Sequence, residues 1–202
     1  MTDRRAASAW ATLPPTDIAV LLGVLSCSAT AAMQYKPTDV PVEYSATVQA
    51  VGELGAAAAY VKVHIDRFTP ERDRKELVAG LKTGYDTFLP ALRKAPVVGY
   101  IEVKDKKWEL RWAHQQLRDT GQVVTVAAAE PIFFAGGGRA DAKPRAGYDM
   151  AVIRLDLDTI GMGKGTFASA AKVKPNADAS GVDVDDYGGT PMPITSVTRL
   201  IR

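Results

Sequence analysis

The sequence predicts an α+β domain, mainly antiparallel β: a sandwich or barrel of about nine strands with an inserted helical hairpin at about 69–94. Three observations carry this. From residue 42 onward, apolar and polar side chains mostly alternate, the mark of strands with one buried face. One stretch, beginning FTPERDRKELVAGLKTG and running on to about residue 94, breaks into a helical period. No regular alternation of strand and helix recurs and no internal repeat is visible, which argues against a parallel sheet or a solenoid.

Taken in order, VEYSATVQAV (42–51) is the first candidate strand and AAYVKVHID (58–66) the clearest. In the latter, Ala59, Val61, Val63 and Ile65 share one face, and Tyr60, Lys62, His64 and Asp66 the other. Thr69 is placed to cap a helix with Pro70 at its first position. Glu71 and Asp73 fall in the first turn, where the helix dipole favours negative charge. Leu77, Val78 and Leu81 form the apolar stripe, and Gly84 stops the helix. A second helix is expected over 86–94, with Phe88, Leu89 and Leu92 inward and Pro90 tolerable only near the first turn. Strands resume at 96–103 and 107–117, with Trp108, Leu110, Trp112 and His114 read as one face of the second. Further strands come at 122–129, 148–158, 165–175, 181–187 and 193–202. A long irregular segment occupies 130–147.

Composition narrows the functional classes. The 202 residues include 25 Lys plus Arg and 23 Asp plus Glu, a net charge of +2, which speaks against a dedicated nucleic-acid binder. The basic clusters at 67–75 and 104–107 are mixed with acids and read as solvated faces. The one cysteine, Cys27, precedes the predicted domain, which therefore has no thiol for a disulfide, a Cys-zinc site or a nucleophile.

The N-terminus reads as an address. Arg4 and Arg5, the apolar run IAVLLGVL (18–25) and the small residues up to Ala31 and Ala32 have the order of a secretory signal peptide. The apolar run is shorter than the roughly 20 residues a membrane-spanning helix needs. The expected organisation is a leader over 1–32, a Pro-containing linker over 33–41 and a single β-rich domain over 42–202. The expected location is exported, periplasmic or extracellular. VLSC, ending at Cys27, is a loose lipoprotein processing site and leaves a lipid anchor as the alternative. An uncleaved apolar helix is a third.

Several motifs invite chemistry. GMGKGT (161–166) has the glycines and lysine of a phosphate loop, but its hydroxyl stands one place late. Alternating segments flank it, so a β-hairpin turn with positive-φ glycines is the expected structure. Gly136–Gly138 and Arg139, with Lys143 and Arg145, lie in the longest loop. They are read as a surface excursion whose Phe133 and Phe134 dock on the core, with anion binding as the competing reading. His64, His114 and Asp66 would make a metal site if their strands were neighbours. Asp183, Asp185 and Asp186 lack the spacing of a calcium loop. No G-x-S-x-G elbow is present. The residues put forward for ligand binding are Trp108, Trp112, His114 and Arg139, the tryptophans as an aromatic wall inside a barrel. No catalytic residue, metal ligand or cofactor is put forward.

The segments VKVHIDRFTPERDRKELVAGLKTGYDTFLPALRKAPVVGYI, WELRWAHQQ, VVTVAAAEPIFF and YDMAVIRLDLDTIGMGKGTFASAAKV, in that order, resemble a family of exported proteins common in acidobacteria that has no assigned function. The resemblance spans about 60–202. It departs from the family at Glu130-Pro131, where members carry Asp or Arg, and in AGGGRADAKPRAG, where members carry a longer loop with tryptophan. It implies export and a shared fold, and transfers no catalytic residue. The function expected is a non-enzymatic envelope or extracellular binding or structural module. The alternatives are a small apolar-ligand carrier, or an enzyme of unrecognised type with its site under the 130–147 loop.

Overall fold

A computed structural model describes residues 37–52, 55–133 and 145–200, all within one compact unit. The leader with Cys27, and Phe134, Arg139 and Lys143 of the long loop, lie outside the described residues. The chain forms β1 (Val42–Gly52), β2 (Gly55–Ile65), α1 (Glu71–Thr83), α2 (Tyr85–Lys94), β3 (Gly99–Val103), β4 (Lys106–Leu110), β5 (Trp112–Arg118), β6 (Gly121–Ala128), β7 (Met150–Asp158), β8 (Met162–Pro175), β9 (Val182–Tyr187) and β10 (Met192–Leu200). All strand pairs are antiparallel. The order β4-β3-β2-β1-β10-β8-β7-β6-β5 gives a nearly closed, barrel-like sheet, with β9 added to β8 beside it. The predicted mainly antiparallel fold with a helical hairpin is the fold observed.

The interior is filled from nearly every strand. Tyr44, Val48, Val61, Val63, Ile65, Ile101, Leu110, Val124, Val126, Ile153, Leu155, Phe167, Ile194 and Val197 belong to one buried cluster. Their alternation along each strand is what the sequence shows. One end is closed by the incoming chain: the Thr38 hydroxyl donates to Gln122 Oε1 at 3.0 Å and accepts from Gln115 Nε2 at 3.2 Å, and Gln122 is fully buried.

The second cluster lies outside the barrel wall. Leu77, Val78 and Leu81 of α1 and Phe88 and Leu92 of α2 pack on Trp112, Ala127, Met150, Val152, Ala168, Ala171 and Val173. The hairpin covers a face of the sheet rather than an end or an edge. The physical reason is in β6, which is buried along its whole length, and in the first residues of β7. Such continuous apolar strands need cover on both sides. Leu89 is buried as predicted. Its truncation to alanine is expected to lower stability by about 2 kcal/mol, the low end for a buried leucine, because 8% of it already meets solvent. Chemical denaturation checks this.

Four local expectations are corrected. The predicted strand 107–117 is two strands, because the chain breaks at Arg111. Its amide bonds to Ala127 O at 3.0 Å, and its guanidinium to Ala95 O at 2.6 Å and to Glu109. The inserted residue reverses the facing, so Trp108 and Leu110 meet the barrel interior while Trp112 meets the helices. Thr69 does not cap α1: its hydroxyl accepts from Ala113 N at 2.9 Å, and its amide donates to Ala113 O at 2.8 Å. It ties the connection before α1 to β5, and Pro70 takes the cap position. Pro90 stands mid-helix in α2 rather than near its first turn. There it removes one intrahelical donor, while the buried Phe88, Leu89 and Leu92 hold the helix on the sheet.

The glycine motif is the fourth. The turn runs over Asp158–Gly161, where Asp158 Oδ1 accepts from the amides of Ile160 at 3.0 Å and Met162 at 2.9 Å and Gly161 takes φ 83°. Gly163 and Gly165 are not turn residues; they stand inside β8. A Cβ there would lie 1.9 Å from Asp156 O and 2.1 Å from Arg154 O, so only glycine permits this approach of β8 to β7.

Candidate functional site

The helices leave the opposite wall of the barrel, β1 to β4, uncovered by helix. The residues of its outer face are held in rows by strand register. Glu43 pairs with His64 and His64 with Tyr100, which in turn pairs with Glu109. One row along, Lys62 pairs with Glu102 and Glu102 with Lys107.

Charge and ring contacts knit these rows together. His64 Nδ1 faces Glu43 Oε2 at 3.4 Å and Nε2 faces Asp66 Oδ1 at 3.1 Å, while its ring stacks on Tyr100 at 4.8 Å. Lys62 lies 3.9 Å from Glu43 and 3.6 Å from Glu102. Lys107 bridges Glu102 at 3.4 Å and sits over the Tyr100 ring at 4.4 Å. Glu43 and His64 are buried at the base of this array. Side chains locked in this way lose little further rotamer freedom on meeting a partner, which is the advantage of a preorganised surface. Tyr60, 78% exposed, extends the same face.

Two pockets open elsewhere. One, of about 260 Å³, is lined by Arg154, Thr166, Lys174, Asp183 and Tyr187. Its cations are paired, Arg154 with Asp183 at 2.8 Å and Lys174 with Asp185 at 3.1 Å. The acidic residues of β9 thus anchor that strand, as Asp186 does through the Tyr148 hydroxyl. The second, of about 320 Å³, lies at the root of the long loop among Arg93, Glu109, Arg111, Ala129 and Glu130.

The residues put forward from the sequence are dispersed. Trp108 is half-buried against the barrel interior. Trp112 is fully buried under the helices with its indole N–H unpartnered among the described residues. Neither tryptophan lines either pocket. Arg139 lies outside the described residues. His114 packs edge-on against Trp112 at 6.4 Å, and a Cβ on Gly181 would lie 2.9 Å from its Nδ1.

His64 and His114 stand on β2 and β5, which are not neighbours in the sheet. The condition set for a shared metal site is therefore not met. No group of three or more side chains able to hold a metal occurs among the described residues. The Glu43–His64 pairing across β1 and β2 was legible only with the register in hand, since the two residues lie far apart in sequence.

Burial holds the His114 imidazole down at about 4. The Arg74 charge adds to this, and Asp178 partly offsets it. Asp178 itself is held low by the Ser180 hydroxyl and amide, which donate to it at 2.7 and 3.0 Å. The ordinary value for histidine is 6.5, so between pH 6.5 and about 4 the unfolded chain carries the extra proton. The stability that neutral His114 contributes is full above pH 6.5 and is lost as pH falls toward 4. Urea midpoints measured across that window are expected to decline, and the decline to flatten in His114→Gln.

The class defined by this geometry is a filled, nearly closed antiparallel barrel with a helical hairpin on one wall and a polar, preorganised face on the other. Compared with protein-family models, with curated proteins and with solved structures, the chain matches none of them.

Proposed function

We propose that the chain is an exported, non-enzymatic β module that binds or braces a partner in the bacterial envelope or outside the cell, and that it belongs with the acidobacterial family its segments resemble. The observation that carries the binding role is the locked array of Glu43, Lys62, His64, Tyr100, Glu102 and Lys107 on the wall without helical cover. The buried imidazole, fixed between two carboxylates and an aromatic ring, holds the more exposed residues around it in place. The partner is a protein or glycan of the envelope rather than nucleic acid, because the face carries acids and bases in balance. The leader motif supports export, and Cys27 offers a lipid anchor in place of release.

Two measurements test this. Expression in a bacterial host, fractionation and N-terminal sequencing are expected to find the protein outside the cytoplasm with a start close to Ala31 or Ala32, or at an acylated Cys27. An intact N-terminus in the cytosol overturns export. Amine cross-linking in intact cells is expected to join Lys62 and Lys107 to an envelope component. Cross-links confined to Lys75, Lys82 and Lys94 of the helices place the binding surface on the other wall and overturn the assignment of this face.

A second reading, an enzyme with its site at the base of the 130–147 loop, is favoured by one observation: the pocket of about 320 Å³ where Glu109, Glu130, Arg93 and Arg111 meet. Loss of a measured activity in Glu130→Gln with unchanged melting would support it over the first.

A further inference from the structure

The start of β1, the β5–β6 and β7–β8 turns and the finish of β10 fall at one end of the barrel, because each strand runs antiparallel to its neighbours in the order β1-β10-β8-β7-β6-β5. Thr38, bonded to Gln115 and Gln122, closes this end. Val40 beside it is 40% exposed, and Leu117, the cross-strand partner of Gln122, is 41% exposed. The β7–β8 turn meets β10 through the Arg199 amide on Gly161 O at 3.0 Å and the pairing of Thr198 with Met162. Ile160, Met162 and Leu200 stand out to solvent there, at 64%, 48% and 40%. Eight large apolar side chains are exposed among the described residues, and these five share one end. A single exposed apolar residue needs no explanation, whereas a group of them marks a contact surface.

The opposite end is polar. Its β3–β4 turn carries Lys104 and Asp105, and its β8–β9 loop carries Asn176, Asp178 and Ser180. Charge at the apolar end is balanced: Arg118, Lys164 and Arg199 stand against Asp39, Asp119, Asp156 and Asp158. None of the five apolar residues lines either pocket. They ring the end of the barrel, which suits a flat partner that meets only what projects.

We propose that this end docks on a lipid bilayer, with the five apolar side chains in the headgroup boundary and the β1–β4 wall standing clear for its partner. The place where the chain enters the domain selects this occupant. Pro37, the first described residue, stands at this end, and the sequence before it holds IAVLLGVL over 18–25 and Cys27. Ten residues separate Cys27 from Pro37, at most about 35 Å of chain. A leader retained at the membrane, or acylated at Cys27, delivers this end to the lipid and holds the polar end away. One weak membrane contact is reversible, and two joined in one chain hold stably. The proposal rests on the anchored form of the export reading.

Vesicles of phosphatidylethanolamine and phosphatidylglycerol carrying a photoactivatable phospholipid, mixed with the full chain as recovered from its host, test this. Mass spectrometry is expected to find lipid on Leu117, Ile160, Met162 and Leu200, and none on the helices or the Lys104–Asp105 turn. Added salt is expected to leave the labelling unchanged, because the charges at this end balance. Ile160→Ser combined with Met162→Ser is expected to lower the labelling of Leu117 and Leu200 by about tenfold, through the apolar contact it removes. Melting stays that of the parent, since both positions are exposed. Label confined to the chain beside Cys27 means that the tether acts alone, and label spread evenly means that no face docks. Slow peroxide oxidation of Met162 without vesicles means that the leader or a second copy already covers this end. Each of these three outcomes overturns the proposal. Recovery of the chain only in a soluble form, cut near Ala31 or Ala32, also overturns it and leaves export standing.

Discussion

Trp112→Ala is expected to cost about 3–5 kcal/mol of folding free energy, the range for a buried large aromatic. The indole is fully buried where Leu77, Val78, Phe88 and Leu92 of the helices meet Val152 and Ala168 of the sheet. Removing it opens a cavity between two rigid layers that cannot collapse onto one another. A domain of this size holds roughly 5–15 kcal/mol in all, so the variant sits near the edge of folding. Urea denaturation reads the change as a shifted midpoint with unchanged slope. Trp112→Phe is expected to lose less, since most of the ring volume stays and the unpartnered indole N–H goes. Trp108→Ala, at a half-buried position on the opposite face, is the internal comparison and is expected to lose less than Trp112→Ala. A Trp112→Ala loss below about 1 kcal/mol would mean a loose helix–sheet layer and return this tryptophan to consideration as a ligand contact.

The double variant Gly163→Ala, Gly165→Ala is expected to cost about 2–6 kcal/mol, twice the usual range for forcing one extra carbon into a packed place. The added carbons would meet the backbone oxygens of Asp156 and Arg154 at 1.9 and 2.1 Å. Backbone cannot step aside as a side chain can, so β8 must pull away from β7 or lose its register. Lys164 lies between them with its side chain exposed, and Lys164→Ala is expected to change stability by less than about 0.5 kcal/mol. This pair of results separates the two readings of GMGKGT. A phosphate loop would lose ligand binding on removal of the lysine and tolerate alanine beside it poorly only in the bound state. A strand needs the glycines and is indifferent to the lysine. Thermal melts in the presence and absence of inorganic phosphate check both.

Much of the fold was legible because alternation is a local signal. The facing of Ala59, Val61, Val63 and Ile65 against Tyr60, Lys62 and His64 needs only the pleat of one strand, and the structure keeps it. The stripes Leu77–Val78–Leu81 and Phe88–Leu89–Leu92 need only the pitch of a helix. Facing was misread where a single residue broke the period. At Arg111 one extra position turns Trp112 away from Leu110, and the bonds responsible run to Ala95 and Ala127, which are distant in sequence. Thr69 was misread for the same kind of reason. Its hydroxyl had a local use as a cap and a distant use on Ala113, and the distant one prevailed.

The candidate site was less legible than the fold. His64 and Asp66 were recognisable as polar neighbours on one strand, whereas Glu43, Tyr100, Glu102 and Lys107 come from three other strands. What brings them together is register, which is set by the hydrophobic face of each strand and by the turns between them. The continuous apolar run of β6 did carry a signal that the wall is covered twice, and it identifies where a helical layer must lie.

By itself, then, the sequence determined most of the strands and both helices, the apolar faces of those whose period is unbroken, and that a hairpin turn lies near residue 161. All of these depend on interactions within a few residues. Only the tertiary structure decided that the helices cover a wall rather than an end, that Trp112 is a packing residue, and that Gly163 and Gly165 allow a close strand approach. It also decided that one wall carries an ordered charged array. Those outcomes depend on which strands become neighbours. That choice is made by burying the whole apolar surface at once, and no local stretch of sequence encodes it.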